Sequence, residues 1–459
     1  MASLKRRHVG VVLVAAVVLG GTGYAANGRP PGARASGPGT NAAAGTTVEW
    51  PVTRCGTYSG NGCAPVGQRV DVNRPTFSNP TRITNPLFPI SALNSVVLLG
   101  KVDGLPFRSE TTLIPGRHTV TVDGKPIEVV VSQYTAYLNG RIDEVAIDRY
   151  AQADDGSVWY LGEDVFDYRG GLVAITEGTW LAGRDGPPAM IMAARPRVGD
   201  VFRAENVTGV VFEEITVKAL NQTVGGPRGP VGGAVVMQEL HLDGSFSDKV
   251  FAPGYGEFDS SHGEDVEALA LAVPTDRINE AVPAELRLLS TSAWGVLENV
   301  RLADWDAAGP TSNRMDLLWK GLRAKNYPPR VADTLSARLA VLTTAVAKKN
   351  AGAASQAAVD VAQSALDLEL LYRGNVEVDR FNLHTQQLRV HAARRDRAGV
   401  SGEVAVLEWI RDRLTRSVTK TKLAELDVRL RGIRDAATAG NLPTAADLSA
   451  RAAAHLRAP

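Results

Sequence analysis

The spacing of apolar residues divides the chain into two parts. Between residues 50 and 280, apolar positions alternate with polar ones, as in HTVTVDGKPIEVVVSQY, AVVMQELHL and SFSDKVF. Asp-Gly pairs at 123–124, 155–156 and 243–244 separate such runs, and this arrangement indicates tight hairpins. The pattern predicts an antiparallel β meander over residues 50–280, forming either a sandwich or an open barrel.

After residue 283, segments such as RVADTLSARLAVLTTAVAKK place apolar residues at i, i+3, i+4 and i+7, which is the helical period. Asn375, Gly399, Gly402 and Gly440 interrupt this pattern, and Pro443 follows soon afterwards. We predict an α-helical bundle of five or six helices over residues 283–459. Because a chain of 459 residues is too long for one compact core, the expected fold is α+β multidomain.

The N-terminus has the layout of a secretory signal peptide. Basic residues 5–7 precede an apolar run from Val9 to Leu19, and small residues follow. The run is shorter than the ~20 apolar residues of a spanning helix, so we predict a signal peptide over residues 1–25. An uncleaved signal anchor is the alternative and would be the only membrane contact. The protein is therefore expected to be secreted or held outside the cytoplasmic membrane.

Residues 26–48 are rich in Gly, Pro and Ala and predict a disordered linker. The Ala, Gly and Arg bias of the chain suggests a bacterial origin. Cys55 and Cys63, the only cysteines, enclose the flexible segment GTYSGNG. In an oxidising compartment this pair predicts a disulfide. A metal site would require further Cys or His ligands nearby, and the sequence offers none there.

Composition excludes some functions and leaves others open. The net charge of +1 gives no general attraction to nucleic acid. The chain lacks the Gly-x-Ser-x-Gly, His-Glu-x-x-His and Walker signatures. We therefore expect no nucleic-acid partner, whereas an enzymatic activity stays open.

Aromatic and acidic residues are concentrated between residues 148 and 180. Aromatic faces stack on sugars, and paired carboxylates serve as acid and base in glycoside cleavage. The candidate binding residues are Tyr150, Trp159, Tyr160 and Trp180, and the candidate catalytic residues are Asp148, Glu163 and Asp164. The alternative is a sheet interior: adjacent strand residues face opposite ways, so either Trp159 or Tyr160 would be core and the other surface.

Two acidic segments raise the possibility of a metal. Their candidate ligands are Asp154, Asp155, Glu257, Asp259 and His262. Calcium requires six to eight oxygens, and neither segment has EF-hand spacing. A zinc or copper site would need His241 or His262 to converge with other ligands. Because Asp-Gly pairs form turns without a metal, we expect no cofactor.

The stretch DRYAQADDGSVWYLGED, followed by TEGTWLAGRDGPPAMIM, resembles a signature in uncharacterised exported, lipoprotein-like bacterial proteins. The common form is D-x-Y-A-Q-D-x-x-G-N-V-W-Y-x-G-E, followed by a second Trp and a D-G-x-x-P turn. The matching positions are Asp148, Tyr150, Ala151, Gln152, Asp154, Gly156, Val158, Trp159, Tyr160, Gly162, Glu163, Trp180, Asp185, Gly186 and Pro188. Ser157 stands where Asn is usual, and the lipobox Cys is missing. The resemblance implies an exported β domain and no particular activity.

We interpret the chain as a non-enzymatic cell-envelope or extracellular protein that binds a protein or a glycan, or serves as a scaffold. Its contact surface would be the face around Trp159 and Trp180, or the loops 225–233 and 253–265. The alternatives are a secreted polysaccharide hydrolase and a calcium- or metal-dependent module.

Overall fold

The structure of the protein, a computed structural model, describes residues 63–457. The predicted signal peptide (1–25), the predicted linker (26–48) and Cys55 lie outside the described residues. Signal cleavage and the Cys55–Cys63 disulfide therefore stay predictions. None of the helices within residues 63–457 combines the length and hydropathy that a membrane-spanning segment requires.

Fifteen strands form a large antiparallel sheet in this part of the chain. In chain order they are β1 (Ser95–Val102), β2 (Leu105–Leu113), β3 (His118–Val122), β4 (Lys125–Leu138), β5 (Arg141–Gln152), β6 (Val158–Arg169), β7 (Leu172–Ile175), β8 (Trp180–Leu181), β9 (Ala189–Met192), β10 (Val201–Val207), β11 (Val211–Gly226), β12 (Gly229–His241), β13 (Phe246–Ala252), β14 (Gly256–His262) and β15 (Asp265–Val273). This confirms the predicted antiparallel meander.

The sheet curls around a common interior. Its hydrogen-bonded order runs from β10 through β15, then β1, β2, β4, β5, β6 and β7. β3 pairs with β4, whereas β8 and β9 pair with β6. Because β9 also packs beside β10, the two ends of the sheet approach each other. The sheet therefore has an inner face and an outer face.

Three hairpins owe their geometry to two-residue turns with left-handed backbone. The turns are Asp-Gly at 103–104 and 123–124 and Asn-Gly at 139–140, and φ is positive at all six residues. This is the type I′ geometry, which matches the twist of the flanking strands and favours Asn or Asp followed by Gly. The turn predicted at 123–124 is therefore confirmed, and it joins β3 to β4.

Eight helices follow the sheet and complete the expected α+β order. They are α1 (Ala284–Arg301), α2 (Trp305–Leu322), α3 (Pro329–Ala347), α4 (Ala351–Arg373), α5 (Glu377–Ala393), α6 (Arg397–Arg413), α7 (Lys420–Thr438) and α8 (Leu442–Arg457). Asp304, Asn350, Asp396 and Thr419 cap α2, α4, α6 and α7, each accepting a hydrogen bond from a first-turn N–H.

The prediction of five or six helices was wrong. It missed α1 and α8, although both are amphipathic and bury residues at helical spacing. It also took Gly399 and Gly402 as interruptions, although both lie within α6. Pro443 is the second residue of α8, where its missing N–H is no loss, and so does not mark the end of the helical part.

The helices pack on the outer face of the sheet through shared apolar clusters. α6 contacts β5 and β7, and α3 contacts β15. A Cβ at Gly402 would lie 3.1 Å from Ile142 Cγ2, so the glycine there allows a close approach of α6 to β5. Sheet and helices thus share two large apolar clusters: one joins the sheet to the later helices, and the other joins β1 and β15 to α1–α4.

The turn between β6 and β7 provides a matched test of this docking. Gly170 and Gly171 both have positive φ, but a Cβ at Gly170 meets nothing, whereas one at Gly171 would overlap the Ala398 carbonyl of α6. We expect Gly171→Ala to lower the free energy of unfolding by about 2–3 kcal/mol more than Gly170→Ala does. Urea unfolding of both variants measures the difference, and equal losses would contradict the docking contact.

Candidate functional site

The inner face of the sheet carries an unusual density of acidic side chains. Strand alternation and cross-strand pairing bring them together: Asp148 lies opposite Glu163, and Glu205 lies opposite Glu213. We call this set the inner carboxyl cluster. It consists of Glu144, Asp148, Glu163, Glu205, Glu213, Glu239, Glu257 and Glu267.

Two basic side chains, Lys249 and His241, face this cluster within residues 63–457. Lys249 Nζ lies 2.9 Å from Glu239 Oε2 and 4.0 Å from Glu257 Oε2. His241 Nδ1 lies 3.3 Å from Glu213 Oε1, and its Nε2 lies 2.8 Å from Ser247 Oγ. Two cationic groups therefore face eight acidic ones.

Burial among like charges keeps several of these carboxyls protonated near neutral pH. Burial raises the pKa of Glu257 to about 8, that of Glu267 to about 7 and that of Asp148 to about 6. Burial and the neighbouring Glu205 carboxyl together raise the pKa of Glu163 well above its usual range. These carboxyls therefore release protons readily when a cation approaches.

In one arc of the cluster, two carboxyls, those of Glu163 and Glu205, interact with each other. Trp180 Nε1 donates to Glu205 Oε1 at 3.1 Å, while Glu205 Oε2 accepts from no N–H or alcohol group in the described residues. Glu163 and Glu205 are both fully buried, and a proton on Glu163 is shared between the two carboxyls. Two adjacent buried carboxyls cannot both be ionised without a counter-charge, so this arc holds either a proton or a cationic group.

A cavity joins the cluster to an apolar opening. Asp148, Glu213, Glu239, Lys249 and Glu257 line its inner part. Its outer part is lined by Phe88, Ile90, Leu93, Phe251 and Tyr255. The centres of water-sized molecules fit within about 70 Å³ of it, and one water needs roughly 10–15 Å³ of such space. The cavity therefore has room for a few waters or one compact ligand.

The three candidate catalytic residues fall in two places. Asp148 and Glu163 lie together on the inner face. Asp148 accepts hydrogen bonds from Tyr160 Oη at 2.7 Å and Ser132 Oγ at 3.2 Å. Asp164 faces away and forms an ion pair with Arg149 at 2.5 Å. The sequence thus identified two members of the cluster by residue type, although for a different chemistry.

The four candidate binding aromatics are buried rather than displayed. Tyr160 and Trp180 are fully buried, and Tyr150 and Trp159 are nearly so. Tyr150 stacks on Tyr160, and Tyr160 meets Trp180 edge-on. The expectation that either Trp159 or Tyr160 would be exposed was wrong, because other parts of the protein pack against both faces of β6. These rings wall the interior beside the carboxyl cluster.

The metal-ligand candidates are dispersed. Asp154 accepts hydrogen bonds from Ser78, and Asp155 accepts from Ser157, as turn residues do. On β14, Glu257 joins the inner cluster, while His262 Nδ1 contacts the Phe246 carbonyl at 2.7 Å. Burial raises the pKa of Asp259, and the nearby Arg330 of α3 partly opposes this rise, so Asp259 faces the helices.

One group within residues 63–457 has the geometry of a metal-ligand set: Glu213, Glu239 and His241 offer one atom each, all within 4.8 Å of one another. Sequence reasoning considered His241 but missed Glu205, Glu213, Glu239, Lys249 and Glu267. The available signal was charged residues in apolar runs, such as Glu239 and His241 in AVVMQELHL. Comparison with protein-family models finds no match, and comparison with curated proteins finds none either.

Proposed function

We propose that the protein is an exported bacterial binding protein that holds a small cation inside its curled sheet. The excess of buried acidic groups over basic ones on the inner face carries this proposal. Burying like charges together is unfavourable unless they are neutralised. Protons neutralise several of these carboxyls near neutral pH, and a bound cation is the ligand class that would replace those protons.

The outer face offers an internal comparison. Arg108, Arg380 and Arg413 lie against Glu110, Glu377 and Asp367, so three buried basic groups meet three buried acidic groups. The buried charges are therefore balanced on the outer face, where these residues join the helices to the sheet. Four of the eight inner carboxyls line the cavity with Lys249 as the one basic group among the lining residues, and this imbalance supports a ligand there.

The location of the protein rests on the N-terminal pattern described above, since residues 1–62 lie outside the described part. A signal-peptide pattern supports export, and the exported setting makes metal ions and small amines available as ligands. The family resemblance supports the same location. The proposal involves no reaction, because the cavity would retain its ligand through charge and burial.

Thermal melts of the full chain at pH 7.5, with small cations, matched anions and cell-wall glycan fragments, test the proposal. Zinc, calcium and putrescine are the cations, and succinate and phosphate are the anions. We expect at least one cation to raise Tm. At one hundred times its Kd, the cation should increase the free energy of unfolding by about 2.7 kcal/mol. The anions should leave Tm unchanged.

The matched variants are Glu239→Gln, inside the cavity, and Glu264→Gln, at the exposed turn before β15. The cation shift should shrink in the first variant and persist in the second. A response only to anions or only to glycans, or no response to any cation, would refute the proposed function.

A further inference from the structure

We propose that Glu213, Glu239 and His241 bind a divalent transition-metal ion, with Glu205 as a further ligand. This inference rests on the proposed function and names the ligand class of the same interior. Glu213 and His241 are direct cross-strand partners on β11 and β12, and Glu239 precedes His241 by two positions on the same face. Three side chains thus converge from two paired strands, a rigid arrangement suited to a metal centre.

The neighbouring carboxyl arc supplies an independent observation. Glu205 lies directly opposite Glu213 and is fully buried, and its Oε2 accepts no hydrogen bond from an N–H or alcohol group in the described residues; the Glu163 carboxyl is its acidic neighbour. Trp180 Nε1 holds the other oxygen at 3.1 Å and so fixes the carboxyl orientation. Metal ligands are commonly oriented by such a second partner. Glu205 therefore offers an oriented oxygen donor beside the three primary ligands.

Second partners also orient the His241 ring. Ser247 Oγ lies 2.8 Å from His241 Nε2 and donates to Glu239 Oε2 at 3.3 Å. With Nε2 engaged by Ser247, Nδ1 is the ring atom directed at Glu213, at 3.3 Å from Oε1. Nδ1 is thus the ring nitrogen available to the metal, once it is deprotonated.

Lys249 competes with the ion for Glu239. Its Nζ is 2.9 Å from Glu239 Oε2 and 4.0 Å from Glu257 Oε2. A divalent ion binding Glu239 would repel the ammonium group, and Glu257 provides a second acceptor on the other side. Metal binding should therefore shift Lys249 from Glu239 to Glu257.

The donor set favours transition metals over calcium. One imidazole nitrogen with two or three carboxylate oxygens suits zinc and its first-row neighbours. Calcium prefers six to eight oxygen ligands from flexible loops, whereas these ligands lie on paired strands. Zinc is the most convenient probe, because it has no redox chemistry.

Calorimetric titration of the full chain with zinc at pH 7.5 tests the site. We expect one ion per chain, with proton release visible as a dependence of the measured heat on the buffer. His241→Ala and Glu239→Gln should each weaken binding at least tenfold. The control His262→Ala, on β14 outside the site, should leave the zinc Kd unchanged.

A fourth variant separates a metal site from a merely structural cluster. Lys249→Met removes the competing cation and should strengthen zinc binding at least tenfold. If His241→Ala does not fold, the Lys249→Met result still decides, since weaker or unchanged binding in that variant overturns the site. Unchanged zinc affinity in folded His241→Ala also overturns it.

The outcomes distinguish this inference from the proposed function. If zinc does not bind the wild-type chain but putrescine raises its Tm, the metal site is refuted and the cation-binding function stands. If neither zinc nor any other cation binds, both fail.

Discussion

Replacing Glu110 with glutamine is expected to lower the free energy of unfolding by about 3–5 kcal/mol, the loss typical of breaking a buried ion pair from one side. Glu110 is fully buried on β2 between the sheet and the helices. Glutamine preserves its shape but removes its charge. The variant therefore isolates the electrostatic role of this residue.

Three guanidinium groups converge on the Glu110 carboxylate. Arg413 Nη1 donates to Oε1 at 2.7 Å, and Arg108 Nη1 donates to Oε2 at 2.9 Å. Arg380 Nη1 lies 3.2 Å from Oε2. Burial alone would raise the pKa of Glu110, but these guanidinium groups hold that pKa well below its usual range. Removing the carboxylate would leave three buried cations facing two carboxylates.

Urea unfolding at pH 7, followed by circular dichroism, measures the loss. Glu128→Gln is the matched control, because Glu128 pairs with the highly exposed Arg117 at 3.0 Å. An exposed pair of this kind contributes about 0–1 kcal/mol. If Glu110→Gln were no more destabilising than Glu128→Gln, the buried network could not be what secures the helices to the sheet.

The sequence predicts the order of the secondary structure because local periodicity carries that information. Alternation identified the strands, and Asp-Gly pairs marked some of their turns. The alternation did not predict which residues of each strand face inward, because β-bulges insert extra residues and so change which face the following side chains occupy. Between Asp148 and Tyr150 the register against β6 shifts, so Asp148 pairs with Glu163 while Tyr150 pairs with Tyr160. A one-residue slip reverses the face of every following side chain.

The candidate site depends on contacts between strands that are distant in sequence. Glu239 and His241 lie two positions apart, so their shared face could be inferred locally. Their convergence with Glu213 depends on the pairing of β11 with β12, which itself contains three register shifts. Trp159 shows a related limit: alternation gives two faces, but only the packing of the whole chain reveals that both are buried.

Free protein should lose stability as the pH rises from about 5 to 8. The folded-state pKa is about 6 for Asp148, about 7 for Glu267 and about 8 for Glu257, in each case chiefly because of burial. Unfolded carboxyls titrate near pH 4, so the folded state binds more protons between pH 4 and 8. Their contribution to stability is complete below the unfolded pKa and is lost as the pH rises through the folded value.

Together these carboxyls should reduce the free energy of unfolding by on the order of 5 kcal/mol between pH 5 and pH 8. Urea unfolding across this range, in a chelating buffer, measures the slope. Glu257→Gln should flatten the slope and stabilise the protein at pH 8, whereas Glu264→Gln should not. A stability that increased from pH 5 to pH 8 would contradict buried, protonated carboxyls. Since a cation must displace the same protons, a ligand of this cavity should stabilise the protein more at pH 8 than at pH 5.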